Sequence, residues 1–263
     1  MIELTPNHFQ NVAPLFAGID HNVALVYGVI ERNRPGQIFV DDPDAPASAL
    51  VVSSVGYNYV GGRADQAEFN QALTPLLFDT VLPQMKEEER EIVLFAFSAA
   101  WRARLDALLR PYDAITVPRK LFAFDPKRFA AHAGWRAEIP AGFELREIDA
   151  AVAEQHPAYA PLVDPRTRRF GVALLHGDEV ASACTAVSVG GGEAEIDIHT
   201  KEAYRRRGYA YLTACAFIEA CLARDLTPSW ACWPHRVTSQ GLAKKLGFEP
   251  RPDVLAYYWA AEM

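Results

Sequence analysis

The sequence is short of the features that would place it outside the ordinary globular class. It has only four cysteines, at positions 184, 215, 221 and 232, and no two of them form a CxxC pair. Isolated in apolar surroundings, they read as buried free thiols, and neither a metal site nor a disulfide framework is expected. No run approaches the roughly 20 uninterrupted apolar residues of a membrane span. The opening MIELTPNHFQN lacks the basic flank and apolar core of a signal peptide. A cytoplasmic setting without a membrane partner is therefore expected. Positive charge is scarce as well: 26 Lys and Arg against 33 Asp and Glu leave a formal net charge of −7. That balance opposes non-specific nucleic-acid binding and favours a cationic small substrate.

What is present is core-forming material, since 50% of the 263 residues are hydrophobic. A chain of this length forms one large domain or two small ones. In the first half, Thr5 before Pro6 reads as the cap of a helix to about Phe16, and Asp20 as the cap of a second helix. GQIFVDD and SALVVSSVGYNYVGG read as strands. A helical segment follows from Gln66 to about Lys86, with Pro75 and Pro83 expected to kink or end it. The strand EIVLFAFS, the amphipathic helix AAWRARLDALLR and a further strand, AITVPRKLFAF, complete this half.

The second half repeats that order. GFELREID, then a hairpin turning at His176, Gly177 and Asp178, then AEIDIHT lead to the helix GYAYLTACAFIEACLARD. After it come the strand PSWACW, the helix SQGLAKKLGF and the closing strand VLAYYWA. A duplicated α/β unit is the simplest reading. The junction is placed between about Asp125 and Gly142, giving domains 1–130 and 131–263.

One local feature contradicts the acidic balance. Arg205, Arg206 and Arg207 stand in a row and stop at Gly208, where the apolar helix begins. A helix starting there leaves backbone N–H groups unpaired in its first turn, with the partial positive charge of the helix dipole beside them. Gly208 allows close backbone approach, Ala210 keeps the next position small, and guanidinium groups match phosphate oxygens. The turn therefore reads as a diphosphate site, or else as a solvated charged turn on an amphipathic helix.

The six residues RRRGYA resemble the R/Q-x-x-G-x-G/A signature of the GNAT superfamily of acyl-CoA-dependent N-acetyltransferases, with Arg205, Gly208 and Ala210 at the signature positions. Downstream, WPHRVTSQGLAKKLGF is similar to the superfamily's second signature, N-x-x-S-x-x-L-A-x-K-L-G-F. Ser239, Leu242, Ala243, Lys245, Leu246, Gly247 and Phe248 match, and Arg236 stands where the pattern has asparagine. The segment 195–230 looks most like the zwittermicin-resistance-type branch, which carries a divergent N-terminal half. The close resemblance covers about 171–258.

The resemblance implies an α/β (α+β) fold of tandem GNAT-like units, each a mixed, mostly antiparallel twisted sheet flanked by helices. The first unit is degenerate and the second binds acetyl-CoA or another acyl-CoA. The implied cofactor contacts are the turn, Arg205, Arg206, Arg207, Gly208, Tyr209 and Ala210, together with the backbone of Ile198, His199 and Thr200, and Ser239. Ser239 also reads as an ordinary helix cap. AEIDIHT and PSWACW would be the walls of the gap that takes the thioester arm, with Trp230 and Trp233 in the core or at its acyl end.

Acyl transfer to an amine needs a base, a polarised carbonyl and a proton for the leaving thiolate. Glu195, Asp197 and His199 recur at every second residue of one strand and so share a face. Glu195 and Asp197 are the candidate bases, acting directly or through water; both also read as structural partners for arginines. The superfamily's usual acid, a tyrosine, is replaced here by Ala243, leaving Ser239, Tyr257 and Tyr258 as candidate donors. The arginines of DPRTRRF stay unassigned between acceptor contact and surface loop. In the first half YNYVGGRADQAEF breaks the signature, and Asp65 and Glu68 would oppose a diphosphate, so no second cofactor site is expected. The reading is an N-acetyltransferase for a small-molecule amine, with a non-catalytic acyl-CoA-binding sensor or interaction module as the alternative. Monomer and homodimer both remain open.

Overall fold

The computed structural model describes residues 1–88, 90, 92–112 and 114–259. In chain order the first elements are β1 (Ile2–Glu3), α1 (Val23–Ile30), β2 (Gly36–Val40), β3 (Ser48–Ser53), β4 (Tyr57–Gly62), α2 (Ala67–Leu76), α3 (Leu82–Glu87), β5 (Ile92–Ala96), α4 (Ala99–Leu109) and β6 (Ile115–Phe124). Then come α5 (Pro126–Phe129), β7 (Phe143–Glu147), α6 (Ala150–Gln155), β8 (Gly171–His176), β9 (Glu179–Gly190), β10 (Glu193–Thr200), α7 (Tyr209–Leu222), β11 (Thr227–Cys232), α8 (Val237–Lys245) and β12 (Phe248–Trp259). Glu91 and Ala260, at the ends of two expected strands, lie outside the described residues.

The chain divides into two compact units, residues 1–119 with 254–263, and residues 120–253. The chain passes from unit 1 to unit 2 within β6 and returns within β12. In unit 1 the strand order is β1-β2-β3-β4-β5-β12. The pairs are antiparallel except β4 with β5, which is parallel. In unit 2 the order is β6-β11-β10-β9-β8-β7, again antiparallel except β10 with β11. Each unit is thus a mixed, mostly antiparallel sheet flanked by helices. The closing strand does not complete the sheet of the second half as its sequence position suggests. Ala256–Trp259 pair with Phe95–Ile92 in unit 1, while Leu121 and its neighbours from the first half pair with Ala231 in unit 2. Alternating patterns specify a strand and its buried face but not which neighbour it joins.

Several local expectations shift for identifiable reasons. Residues Pro6–Phe16 form successive tight 3₁₀ turns with no side-chain cap from Thr5. The second helix is capped at Asn22, in the left-handed conformation, rather than at Asp20. Pro75 does not end the helix containing it; the chain continues from α2 through one π-helical turn, Leu77–Val81, into α3, as a widened turn can absorb a missing N–H donor. Ser98 and Asp149 act as N-caps, accepting from Trp101 N at 3.2 Å and Val152 N at 2.9 Å.

In unit 2, one face of the sheet carries α7 and a core built around Leu212, Phe217, Cys184, Trp230 and Phe248. The other face carries α6 and the 3₁₀ segment Pro157–Leu162, over Ala173, Leu175, Val180 and Ala183. In unit 1 a separate core joins Val60, Phe69, Leu73, Leu94, Trp101 and Tyr257.

Candidate active site

The site begins where two strands part. β10 pairs with β11 at Glu193, Ala194 and Glu195, opposite Thr227, Pro228 and Ser229. Beyond that point β11 turns to β6, through Trp230–Cys232, while Ile196–Thr200 stay on β9 alone. A register shift between Glu195 and Ile196 leaves Val187 of β9 as an extra residue at this point; such a bulge bends a strand and increases its twist. The result is an opening lined on one side by the backbone of Ile196–Thr200.

The first turn of α7 is tied to the open end of β10 by hydroxyl groups. Ser182 Oγ donates to His199 O at 3.1 Å and lies 2.9 Å from Thr200 Oγ1 and 3.2 Å from Thr213 Oγ1. Thr213 Oγ1 in turn donates to Tyr209 O at 3.2 Å. The preceding turn is held by Glu179, which accepts from Lys201 Nζ at 2.9 Å and Tyr204 Oη at 2.7 Å. The Lys201 and Tyr204 hydrogen bonds lower the Glu179 pKa.

Gly208 caps α7 with φ +84°, and Arg206 is also left-handed at φ +61°. Gly208 O accepts from Tyr211 N and Leu212 N at 3.0 and 3.3 Å, so the N–H groups of Tyr209 and Ala210 fall at the open end of the helix. A Cβ built on Gly208 meets no atom within 4 Å, so the space before this helix end is clear. The arginines diverge in role. Arg205 Nε donates back to Thr200 O at 3.2 Å, and Arg207 lies over the Tyr204 ring at 6.0 Å. The exposed Arg206 supplies the turn's left-handed backbone.

Glu195 and Asp197 share a strand face but not an environment. Glu195, in the last pair before the strands part, is 3% exposed, whereas Asp197 and His199 are exposed along the open stretch. Ile196 and Ile198 pack towards the α7 core. Ser239 is not the N-cap of α8: that position is Arg236, and Ser239 lies two residues inside the helix start, accepting from Trp230 Nε1 at 3.1 Å. Trp230 is core, 5.2 Å from Phe248 between ring centres, and Trp233 is also buried. Gly247 ends α8 at φ +90°, and a Cβ there would sit 2.9 Å from Phe129 N, which excludes other residues on space as well as conformation. Tyr257 belongs to the core of unit 1, where its hydroxyl donates to Asp106 Oδ1 at 2.5 Å; burial and that carboxylate raise its pKa.

Two groups near the acidic face, Ser188 and Tyr159, were not singled out in the sequence, and a third, Arg169, is one of the DPRTRRF arginines left between acceptor contact and surface loop. Ser188, directly across from Glu195, is fully buried, with no hydrogen bond to its hydroxyl among the described residues. The Tyr159 phenol is raised by burial and then by the Asp197 charge. Arg169 donates from Nε to Ala186 O at 3.0 Å; burial lowers its guanidinium pKa, and the Asp197 charge opposes that shift. Among the described residues no cluster of His, Cys, Asp and Glu suits a metal ion, and no helix is long and apolar enough to cross a membrane.

A model of the GNAT acetyltransferase family matches residues 13–257. The chain belongs to the GNAT acetyltransferase family. It is an acyltransferase, and its two GNAT-like units stand in tandem. A Bacillus subtilis protein named uncharacterized N-acetyltransferase YdfB is 28% identical over 97% of each chain. A crystal structure of a GCN5-related N-acetyltransferase-like protein from Streptococcus suis superposes with TM-score 0.69 at 25% identity, covering 97% of this chain and 99% of that one. A tandem GNAT protein from the clavulanic acid biosynthesis pathway shares the fold at TM-score 0.59 and 13% identity, over 98% and 95% of the two chains. The space at the helix start and the unpaired strand edge fit the diphosphate and amide arm of the acyl-CoA that GNAT acetyltransferases use.

Proposed function

We propose that unit 2 transfers an acetyl or other acyl group from acyl-CoA to the amine of a small molecule while both are bound. The observation that carries this reading is the parting of β10 from β11 immediately after Glu195, beside the open N-terminus of α7. The N–H groups from Arg206 to Ala210 hold the diphosphate, and the strand edge from Ile198 to Thr200 holds the pantetheine amides. Ser239 stands beside the opposite wall. Bound acyl-CoA supplies the thioester as acyl donor. Glu195 or Asp197 takes the proton from the acceptor ammonium, directly or through water, so that the nitrogen lone pair can form the new C–N bond as the C–S bond breaks. The released thiolate takes a proton, from solvent when no side chain supplies it.

Unit 1 is read as a structural copy without acyl-CoA. There β4 and β5 stay paired from Tyr57 with Val93 to Val60 with Ala96, and Phe97 N extends the ladder to Val60 O at 3.0 Å. At the end of β4, Trp101 Nε1 donates to Gly62 O at 3.0 Å. The proposed setting is cytoplasmic. Thiol release from acetyl-CoA, measured against polyamines, aminoglycosides, aminopolyols and amino acids, tests the reading. Aminopolyols are included because of the resemblance to the zwittermicin-resistance branch. Turnover with at least one amine is expected, and binding of acetyl-CoA without thiol release for any acceptor would establish the sensor alternative.

A further inference from the structure

The acidic face of β10 has a basic counterpart in the same unit. Arg169 leads into β8 and is partly buried, and its neighbour Phe170 stacks on Phe217 of α7, 5.0 Å between ring centres. Successive side chains of an extended segment point to opposite faces, so Arg169 lies on the face away from α7, which is the face of Asp197. Two backbone contacts fix it there. Phe170 O accepts from Ala186 N at 2.8 Å, and Arg169 Nε donates to Ala186 O at 3.0 Å. Ala186 is the register partner of Ile196, and the next residue, Thr185, is the partner of Asp197. The guanidinium is therefore anchored one residue from the cross-strand partner of Asp197. Burial lowers the Arg169 guanidinium pKa and the Asp197 charge opposes that shift, which agrees with this placement.

A guanidinium fixed to a carbonyl through Nε still presents Nη1 and Nη2, the planar fork that matches a carboxylate. On the same face Tyr159 packs, partly buried, against the cluster that includes Val152, Leu162 and Val180, and its phenol pKa is raised by burial and then by the Asp197 charge. One face thus offers an anion for an ammonium and, next to it, a cation with an unused bidentate edge. A plain amine or polyamine would gain nothing from the cation and would be repelled by it. A molecule bearing a carboxylate beside its amine uses both.

We propose that the acceptor is an amino acid, or a derivative keeping the free carboxylate beside the amine, with its ammonium at Asp197 and its carboxylate on Arg169. This rests on the reading of unit 2 as a transferase, and makes Arg169 a specificity-determining residue of the same site. Neither acceptor atom changes bonding at Arg169, so its contribution falls on binding and shows in KM rather than kcat.

The test compares matched acceptors that differ only in the carboxylate, such as arginine with agmatine and phenylalanine with phenethylamine, in the thiol-release assay. Wild type is expected to prefer the carboxylate-bearing member by about 10- to 100-fold in kcat/KM, the range for one charge-assisted bidentate contact. In Arg169→Gln the preference collapses towards one through a raised KM, and Arg169→Lys restores part of it. Melting curves confirm that the variants fold, and the wild-type preference stands as a readout even where they do not. Equal or better turnover of the decarboxylated amines by wild type overturns the assignment and leaves transfer intact. Absence of thiol release with every acceptor, carboxylate-bearing or not, overturns both.

Discussion

Replacing Gly208 by alanine and by glutamate separates two things that the α7 turn does, holding a left-handed backbone and leaving room for a diphosphate. At φ +84° any side chain is strained, yet a Cβ at this position meets nothing within 4 Å. The folding cost of either substitution is therefore that of a left-handed residue, about 1–2 kcal/mol, or roughly 2–8 °C in melting temperature for a chain of this size. Binding should divide the two variants. Alanine adds one methyl group beside the anion. Glutamate adds a unit negative charge which, at ~6 Å from a diphosphate carrying about two charges, costs between about 1.4 kcal/mol at the dielectric of water and about 5.5 kcal/mol at an effective dielectric near 20. The turn is exposed, so the lower part of that range applies, and acetyl-CoA affinity should fall about 10- to 100-fold from Gly208→Ala to Gly208→Glu. Calorimetric titration of both variants measures it, and 0.5 M salt should shrink the gap. Affinities within threefold of each other at low salt would refute the diphosphate site at this turn.

Other consequences are as direct. Glu195→Gln and Asp197→Asn should each leave acetyl-CoA affinity within a few-fold of wild type, and the one that serves as base should lower kcat about 10²- to 10⁴-fold; equal, small losses in both would exclude a strand base. Ser239→Ala leaves the buried Trp230 N–H without its acceptor and should cost about 1–3 kcal/mol by urea unfolding; an unchanged midpoint would mean that this bond carries no stability. Burial raises the Cys184 thiol well above its usual value and pushes Cys215 and Cys221 up to about 12. Native protein at pH 8 should therefore resist alkylation at these positions and label fully when unfolded. Because the folded state holds those protons more tightly, its stability is whole below the unfolded thiol value, near pH 8.5, and falls as pH rises towards 12. Melting temperature followed from pH 8 to 11 should decline, and a flat profile would contradict the buried, protonated thiols.

The helix start at Gly208 was legible in the sequence because its signal is local: a glycine, small neighbours and an apolar helix within six residues. The shared face of Glu195, Asp197 and His199 was legible too, since strand periodicity is independent of context. What separates the two carboxylates was not. Glu195 is buried because β11 still pairs beside it, and Asp197 is open because β11 has left; that depends on pairing between segments more than 30 residues apart. Which of the DPRTRRF arginines is anchored on the sheet was not legible for the same reason, since that segment has no period and the anchor of Arg169, Ala186 O, lies across a strand pair. Ser239 as a cap was a sound reading of SQGLAKKLGF, but α8 starts at Val237, two residues earlier. The exchange of closing strands could not be read at all, because β6 and β12 carry strand patterns that suit either sheet.

The account turns on one unit having an open cleft between its parallel strands and the other having that ladder closed. Calorimetric titration of the intact protein with acetyl-CoA counts the sites directly. One site per chain, lost or greatly weakened in Gly208→Glu, is the predicted result. Two equivalent sites per chain, or a single site indifferent to Gly208, would contradict it.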